Sequence, residues 1–124
     1  MSTLRLIATP LLGLALAVAS IGSARAEADR VPAPPEMTKD YLTDPAHIAV
    51  GKQVWDEQCK HCHGASAYPG KAPRLTPRRY QSRPEFVWDR VTNGFRKMPG
   101  WKDVYSDEER MGVVAYILSK SFSP

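Results

Sequence analysis

The chain has 124 residues and a formal net charge of +4, so it can form one small domain and is too weakly basic to favour nucleic acid as a partner. Neither an internal repeat nor an alternating strand pattern of any length occurs along it, which favours an all-α fold.

The first 26 residues have the pattern of a secretory signal peptide. Arg5 provides a positive start, residues 11–21 are almost wholly apolar, and residues 23–26 (Ser-Ala-Arg-Ala) offer an Ala-x-Ala cleavage site. The apolar stretch is too short for the ~20 residues that a spanning helix needs. We therefore expect cleavage after Ala26 and export to the periplasm, with no integral membrane segment remaining; an uncleaved membrane anchor is the alternative.

Residues 27–43 are rich in proline and poor in apolar residues, so we expect an extended lead-in that acts as a tether or a docking strap. The folded domain is expected to cover residues 44–124. Asp44 is a good N-cap and Pro45 suits the first helical position, so a first helix is predicted to begin there. Its inward side is marked by residues spaced three and four apart: Ile48, Gly51, Val54, Trp55 and Cys59.

This helix leads into a Cys-x-x-Cys-His run at residues 59–63, a pattern that is typical of covalent haem attachment. On a helix, Cys59, Cys62 and His63 share one face. Both thiols could therefore add to the vinyl groups of one haem while His63 binds its iron. Because this attachment accompanies export, the predicted signal peptide agrees with it.

Two other interpretations of the cysteines remain open. An exported protein could pair them as a redox disulfide, but a thioredoxin-like site needs a βαβ context that this chain lacks. A zinc site would need two further ligands, and His47 and His61 are the remaining histidines.

Glycine and proline predict a loop over residues 64–79. Basic side chains without an acidic neighbour continue from this loop to residue 83. They indicate either a solvated loop or a basic rim that neutralises haem propionates or steers an acidic redox partner. The residues of this stretch are Lys71, Arg74, Arg78, Arg79 and Arg83.

Two further helices follow. The second is predicted from Ser82, through a capping box with Glu85, to the helix-ending pair at residues 93–94. The third is predicted from Ser106, through a capping box with Glu109, to about residue 120. Its buried stripe is expected to contain Met111, Val114, Ala115 and Leu118.

A haem iron in an electron carrier takes a second axial ligand besides His63. Met98 is favoured, because Pro99 restricts its backbone to extended geometry and nearby glycines let the chain pass close to a flat cofactor. A neutral thioether favours ferrous iron and raises the reduction potential. The other candidates are His47, His61, Met37 and Met111.

Over residues 44–119 the chain resembles the class I c-type cytochromes, which are single-haem electron carriers. The resemblance rests on the helix that ends in the Cys-x-x-Cys-His-Gly run, on residues 93–99 with their Asn-Gly and Met-Pro pairs, and on two further segments. These are Pro73-Arg74-Leu75, similar to the family's Pro-x-Leu segment, and the closing helix with Tyr116.

The resemblance implies a small all-α cytochrome c fold of three to five helices wrapped around one covalently attached haem c. It also implies that the Pro73 carbonyl orients His63, that Leu75 packs on haem, and that Gly51 and Tyr116 meet where the first and last helices cross. Trp101 and Arg74 are candidates to bind propionates. The predicted haem-binding residues are therefore Cys59, Cys62, His63, Met98, Pro73, Leu75 and Trp101.

The predicted function is that of an electron carrier, not an enzyme, with redox proteins as partners. The chain would be a monomeric carrier between a periplasmic dehydrogenase and an oxidase or reductase, or a tightly bound haem subunit of one periplasmic oxidoreductase. A peroxidase-like enzyme or a gas sensor with an open iron is a third hypothesis. A four-helix-bundle cytochrome is disfavoured, because more than half of the mature domain follows the haem motif.

Overall fold

The computed structural model of the chain describes residues 27–64 and 72–122, so the predicted signal peptide and Lys71 lie outside it. The chain divides into two units, with the boundary between Arg30 and Val31. In the described chain this second unit is helical, with an isolated β-bridge and no strand. Its elements are α1 (Lys39–Thr43), α2 (Pro45–Val54), a π-helical turn (Trp55–Cys59), α3 (Lys60–His63), α4 (Pro77–Tyr80), α5 (Pro84–Asn93) and α6 (Asp107–Leu118).

Two of the predicted helix starts are confirmed. At the start of α2, the Asp44 side chain accepts a hydrogen bond of 2.8 Å from the backbone N–H of Ala46. At the start of α6, the Ser106 backbone N–H donates to Glu109 Oε2 over 2.8 Å, and the Glu109 N–H donates to Ser106 Oγ over 3.3 Å. Both caps satisfy N–H groups that have no partner within their helix.

The predicted capping box at Ser82 is wrong. The N-cap of α5 is Arg83, and its side chain makes no capping hydrogen bond. The cause is α4, a short helix inside the predicted loop, because a turn follows it in which the Arg83 N–H donates to the Tyr80 carbonyl over 2.8 Å. Ser82 lies within that turn and is therefore not available as the N-cap.

Helices α2 and α6 cross in close backbone contact. A Cβ atom added to Gly51 would lie 1.8 Å from the carbonyl oxygen of Gly112, and one added to Gly112 would lie 2.9 Å from the Gly51 nitrogen. The crossing is where the resemblance implied it, but the nearest neighbour of Gly51 is Gly112. Tyr116, one turn further along α6, instead packs edge-on against Trp55, with 6.0 Å between ring centroids.

Helix α6 is buried on all sides along most of its length. Three residues of the predicted stripe (Met111, Val114 and Ala115) are buried, whereas Leu118 is half-buried. The buried segment is wider than the stripe, because residues 110–117 are all buried. Helices α1, α2, α4 and α5 all contact α6 and cover it. In residues 27–64 and 72–122, none of the helices is both long enough and apolar enough to cross a bilayer.

From Val31 onward, the proline-rich lead-in is attached to the core and is not a free tether. Asn93, the last residue of α5, accepts a hydrogen bond of 2.9 Å from the Val31 N–H and donates one of 3.2 Å to its carbonyl. The Trp88 indole N–H donates to the same carbonyl over 3.1 Å. The side chains of Val31, Met37 and Leu42 pack against the buried residues.

We expect Gly51→Ala to destabilise the folded protein by about 1–3 kcal/mol or more, because the added methyl overlaps the Gly112 backbone and the helices must move apart. Thermal unfolding, followed by circular dichroism, measures the change. Gln53→Ala, an exposed substitution on the same helix, is the control and should stay within about 0.5 kcal/mol of the parent. Equal stability of Gly51→Ala and the control would contradict the close crossing.

Candidate haem-binding site

A π-helical turn leads into the Cys-x-x-Cys-His run and includes its first cysteine, Cys59. The Lys60 backbone N–H donates to the carbonyl of Trp55, five residues earlier, instead of the carbonyl four residues earlier. A π turn holds one more residue than an α turn, so α3 is rotated about the helix axis relative to a continuous helix. This turn sets the direction in which residues 59–63 point. The periodicity of the sequence does not indicate it.

The two cysteines differ in their surroundings. Cys59 is half-buried against the core and Cys62 is exposed, and both are free thiols. Burial, with a smaller effect of neighbouring Cys62, raises the pKa of Cys59 to about 12. Cys59 is therefore a neutral thiol at pH 7 before any reaction with haem.

His63 is oriented by a residue ten positions further along the chain. Its Nδ1 lies 3.0 Å from the carbonyl oxygen of Pro73, so the Nδ1–H of a neutral imidazole donates to that carbonyl. This hydrogen bond is the one that the resemblance implied. It leaves Nε2 as the nitrogen with a lone pair, and that is the form in which an imidazole binds a metal.

Behind His63 lies a cluster of buried aromatic rings. The centroid of Trp55 is 6.2 Å from that of His63 and 4.8 Å from that of Phe122. Phe122 in turn lies 5.3 Å from Tyr116 of α6. The position of the imidazole therefore depends on the α2–α6 crossing as well as on its own helix.

Met98 belongs to a tight turn after α5. The Phe95 N–H donates to the Met98 carbonyl over 3.0 Å, and the Met98 N–H donates to the Phe95 carbonyl over 2.9 Å. Arg96, inside this turn, has a φ of 55°. Met98 is half-buried and packs against the core.

The glycines that flank Met98 make close backbone contacts within the fold. Gly94 has a φ of +74°, and a Cβ on it would lie 2.6 Å from the Gly100 nitrogen. A Cβ on Gly100 would lie 2.7 Å from the carbonyl oxygen of Thr92 in α5. The nearest neighbours of both glycines are thus backbone atoms of α5 and the turn, so these residues close the turn onto the helix.

The other sulfur and nitrogen candidates are engaged elsewhere. Met111 is buried within α6, and Met37 packs against the core from the lead-in. His47 stacks on Tyr41, with 3.6 Å between ring centroids. His61 is exposed, and its Nε2 lies 3.1 Å from the carbonyl oxygen of Glu57, one turn earlier.

Leu75 and Trp101 are both half-buried and pack against the core, and the Trp101 backbone N–H donates to the Val91 carbonyl of α5 over 3.0 Å.

Tyr105 is a residue that sequence reasoning missed. Its hydroxyl lies 3.4 Å from Glu57 Oε2, so it links the segment after Met98 to the π turn. No motif marks it, because the contact joins positions 48 residues apart.

The described residues give little support to the metal-site and disulfide alternatives. In residues 27–64 and 72–122, no group of three or more His, Cys, Asp or Glu side chains could hold a metal ion. The two cysteines are not joined, and a βαβ unit cannot form in this strand-free described chain.

Residues 46–117 match the family model described as cytochrome c oxidase, cbb3-type, subunit III, and this match covers more than half of the chain. The chain belongs to this family of c-type cytochromes. The family match and the all-α fold agree with the resemblance found in the sequence. Its role is therefore one-electron transfer by haem c.

One curated relative indicates the kind of protein complex in which such a domain occurs. The cytochrome c subunit of 4-cresol dehydrogenase (hydroxylating) from Pseudomonas putida is 39% identical to this cytochrome over 75 residues. The match covers 60% of this chain and 62% of the relative, so it spans less than two thirds of the relative's length. No solved structure matches the chain.

The residues of the site fit haem c. Two free thiols have the Cys-x-x-Cys spacing, and the adjoining imidazole is held by its Nδ1 with Nε2 left as a possible metal ligand. The raised pKa of Cys59 keeps it a neutral thiol, which agrees with addition to a vinyl group and not with coordination as a thiolate. Half-buried Leu75, Met98 and Trp101 supply apolar contacts of the kind a macrocycle needs.

Proposed function

We propose that this cytochrome is exported to the periplasm and takes electrons from a dehydrogenase to which it binds as the cytochrome c subunit. The main observation behind the proposal is the sequence similarity of this chain to the cytochrome c subunit of a dehydrogenase. The Cys-x-x-Cys-His run supports it. The segment over residues 1–26 supports export as a cleavable signal. The chain itself would form no substrate bonds, so it would not be the enzyme of the pair.

Cys59 and Cys62 would hold the haem through two thioether links, and His63 Nε2 and Met98 would be its iron ligands. When bound, haem c supplies an iron centre that gains and loses one electron. The carbonyl of Pro73 fixes the ring orientation and tautomer of His63. The aromatic rings around Trp55 exclude water from one side of the imidazole and lower the local dielectric, which disfavours added positive charge.

Met98→Leu should keep the haem attached, lower the reduction potential by on the order of 0.1 V, within the ~0.8 V that axial ligands span, and allow carbon monoxide to bind. Leucine keeps the volume of methionine but has no sulfur ligand. Potentiometry and reduced-state spectra with carbon monoxide measure both effects. Met111→Leu is the matched control, because this sulfur is buried in α6, and it should change neither property. A potential that is unchanged in Met98→Leu would move the ligand role to another residue.

The intact mass of the protein from the periplasmic fraction should equal residues 27–124 plus one haem that acid and organic solvent do not extract. The reason is that thioether links are covalent, whereas axial bonds are not. Cys59→Ala or Cys62→Ala should reduce the amount of attached haem. A bare polypeptide mass would refute the attachment, and a mass that includes residues 1–26 would refute cleavage.

The untagged protein, purified from its own cells, should elute together with a larger dehydrogenase in size-exclusion chromatography. The peak of haem absorbance and the peak of dehydrogenase activity should then have the same elution volume. A permanent subunit stays bound at the dilution of the column, whereas a diffusible carrier does not. Elution of the haem protein at the size of a single chain would contradict the subunit proposal and favour the diffusible carrier.

A further inference from the structure

The outward side of α5 carries a series of arginines and aromatic rings. Arg83, Phe86 and Arg90 are spaced three and four residues apart, so they lie on the same side of the helix. The opposite side, which includes Trp88 and Thr92, is buried. The series continues into the turn after the helix. We name this surface the arginine face and define it as Arg83, Phe86, Arg90, Phe95 and Arg96.

Guanidinium groups and rings alternate along the arginine face. The Arg83 guanidinium carbon lies 4.4 Å from the Phe86 ring centroid, and that of Arg90 lies 4.8 Å from Phe86 and 4.1 Å from Phe95. That of Arg96 lies 5.1 Å from Phe95. Cation–π contacts restrict the arginine side chains but leave their charge in place. The contacts therefore favour side-chain conformations in which each charge lies over a ring before any partner arrives.

The arginine face keeps a net positive charge. Arg90 pairs with Asp89 at 3.1 Å, while in residues 27–64 and 72–122 no ion pair is found for Arg83 or Arg96. The lysines of the first helical segment differ, because Lys52 and Lys60 both pair with Asp56.

An apolar ring is exposed at the centre of these charges. The Phe95 side chain is 47% exposed, which makes it one of two large exposed hydrophobic residues in the described chain. A large apolar ring between cations is typical of a surface that another protein covers.

The arginine face borders the proposed iron ligand. Phe95 and Met98 are joined by two backbone hydrogen bonds of 3.0 and 2.9 Å, so the exposed ring and the sulfur belong to the same short turn. Electron transfer between proteins requires close approach of the partner to the cofactor. A partner that covers Phe95 would approach the site from the Met98 side.

We propose that the arginine face is the surface on which the redox partner docks, and that the partner presents an acidic surface there. This proposal rests on the proposed function, which gives the cytochrome a protein partner. Guanidinium groups donate paired hydrogen bonds to carboxylates, and charge complementarity of this kind raises the rate of association and sets the orientation of the complex.

The test uses the mature holoprotein on gold electrodes coated with carboxylate-terminated alkanethiols, which stand in for an acidic protein surface. The variant pair Arg83→Gln/Arg96→Gln removes two charges from the arginine face. The control pair Lys52→Gln/Lys120→Gln removes two charges from α2 and from the residues after α6. Adsorption at low salt and the midpoint potential are both read from the haem voltammogram, and a hydroxyl-terminated surface gives the uncharged reference.

We expect the arginine pair to adsorb about three- to tenfold more weakly than the parent, since each exposed charge contributes a fraction of a tenfold change, while the lysine pair changes by less than about twofold. Neither pair removes a proposed iron ligand, so all three proteins should keep a reversible haem signal. Equal weakening by both pairs would mean that net charge alone governs binding, which overturns the proposal. A missing haem signal in the parent protein would instead refute the proposed function, and the docking proposal with it.

Discussion

The structure depends on the contact between two glycines. Gly51 and Gly112 let the backbones of α2 and α6 approach more closely than any side chain would permit. The approach brings Tyr116 and Phe122 from the end of the chain against Trp55, which precedes the first cysteine. The ring cluster then lies behind His63. In this small domain, the position of the His63 imidazole thus depends on the contact between its first long helix, α2, and its last helix, α6.

The site is assembled from segments that are distant in sequence, and each is tied to the rest by hydrogen bonds. The Pro73 carbonyl holds His63, the Tyr105 hydroxyl lies against Glu57 of the π turn, and the turn of Met98 is closed onto α5 at Gly94 and Gly100. These contacts use backbone groups or exposed polar groups. None of them places a further polar side chain in the core, whose buried polar residues in the described chain are Thr92, Arg110 and Ser119.

The arginines that look like a solvated loop in the sequence divide into two groups in the structure. Arg74, Arg78 and Arg79 are exposed and belong to the segment before α5. Arg83 is positioned over Phe86 and belongs with Arg90 and Arg96, which the basic stretch of the sequence did not include. Arg83 and Arg90 lie together because their spacing places them on the same side of α5. The end of the basic stretch in the sequence therefore does not coincide with the end of the basic surface in the structure.

The sequence by itself determined the chemistry of the site and the helical class of the fold. The Cys-x-x-Cys-His run and the caps at Asp44 and Ser106 act within short segments, whose geometry follows from local rules. The hydrogen bond of the Pro73 carbonyl to His63 was implied by the family resemblance.

The tertiary structure alone decided the burial of α6 on every side, the attachment of Val31 to Asn93 and Trp88, the failure of Ser82 as a cap, and the exposure of Phe95 among arginines. Each of these depends on which distant segments meet. Which segments meet is set by the packing of the whole chain. It cannot be predicted from the periodicity of a single helix.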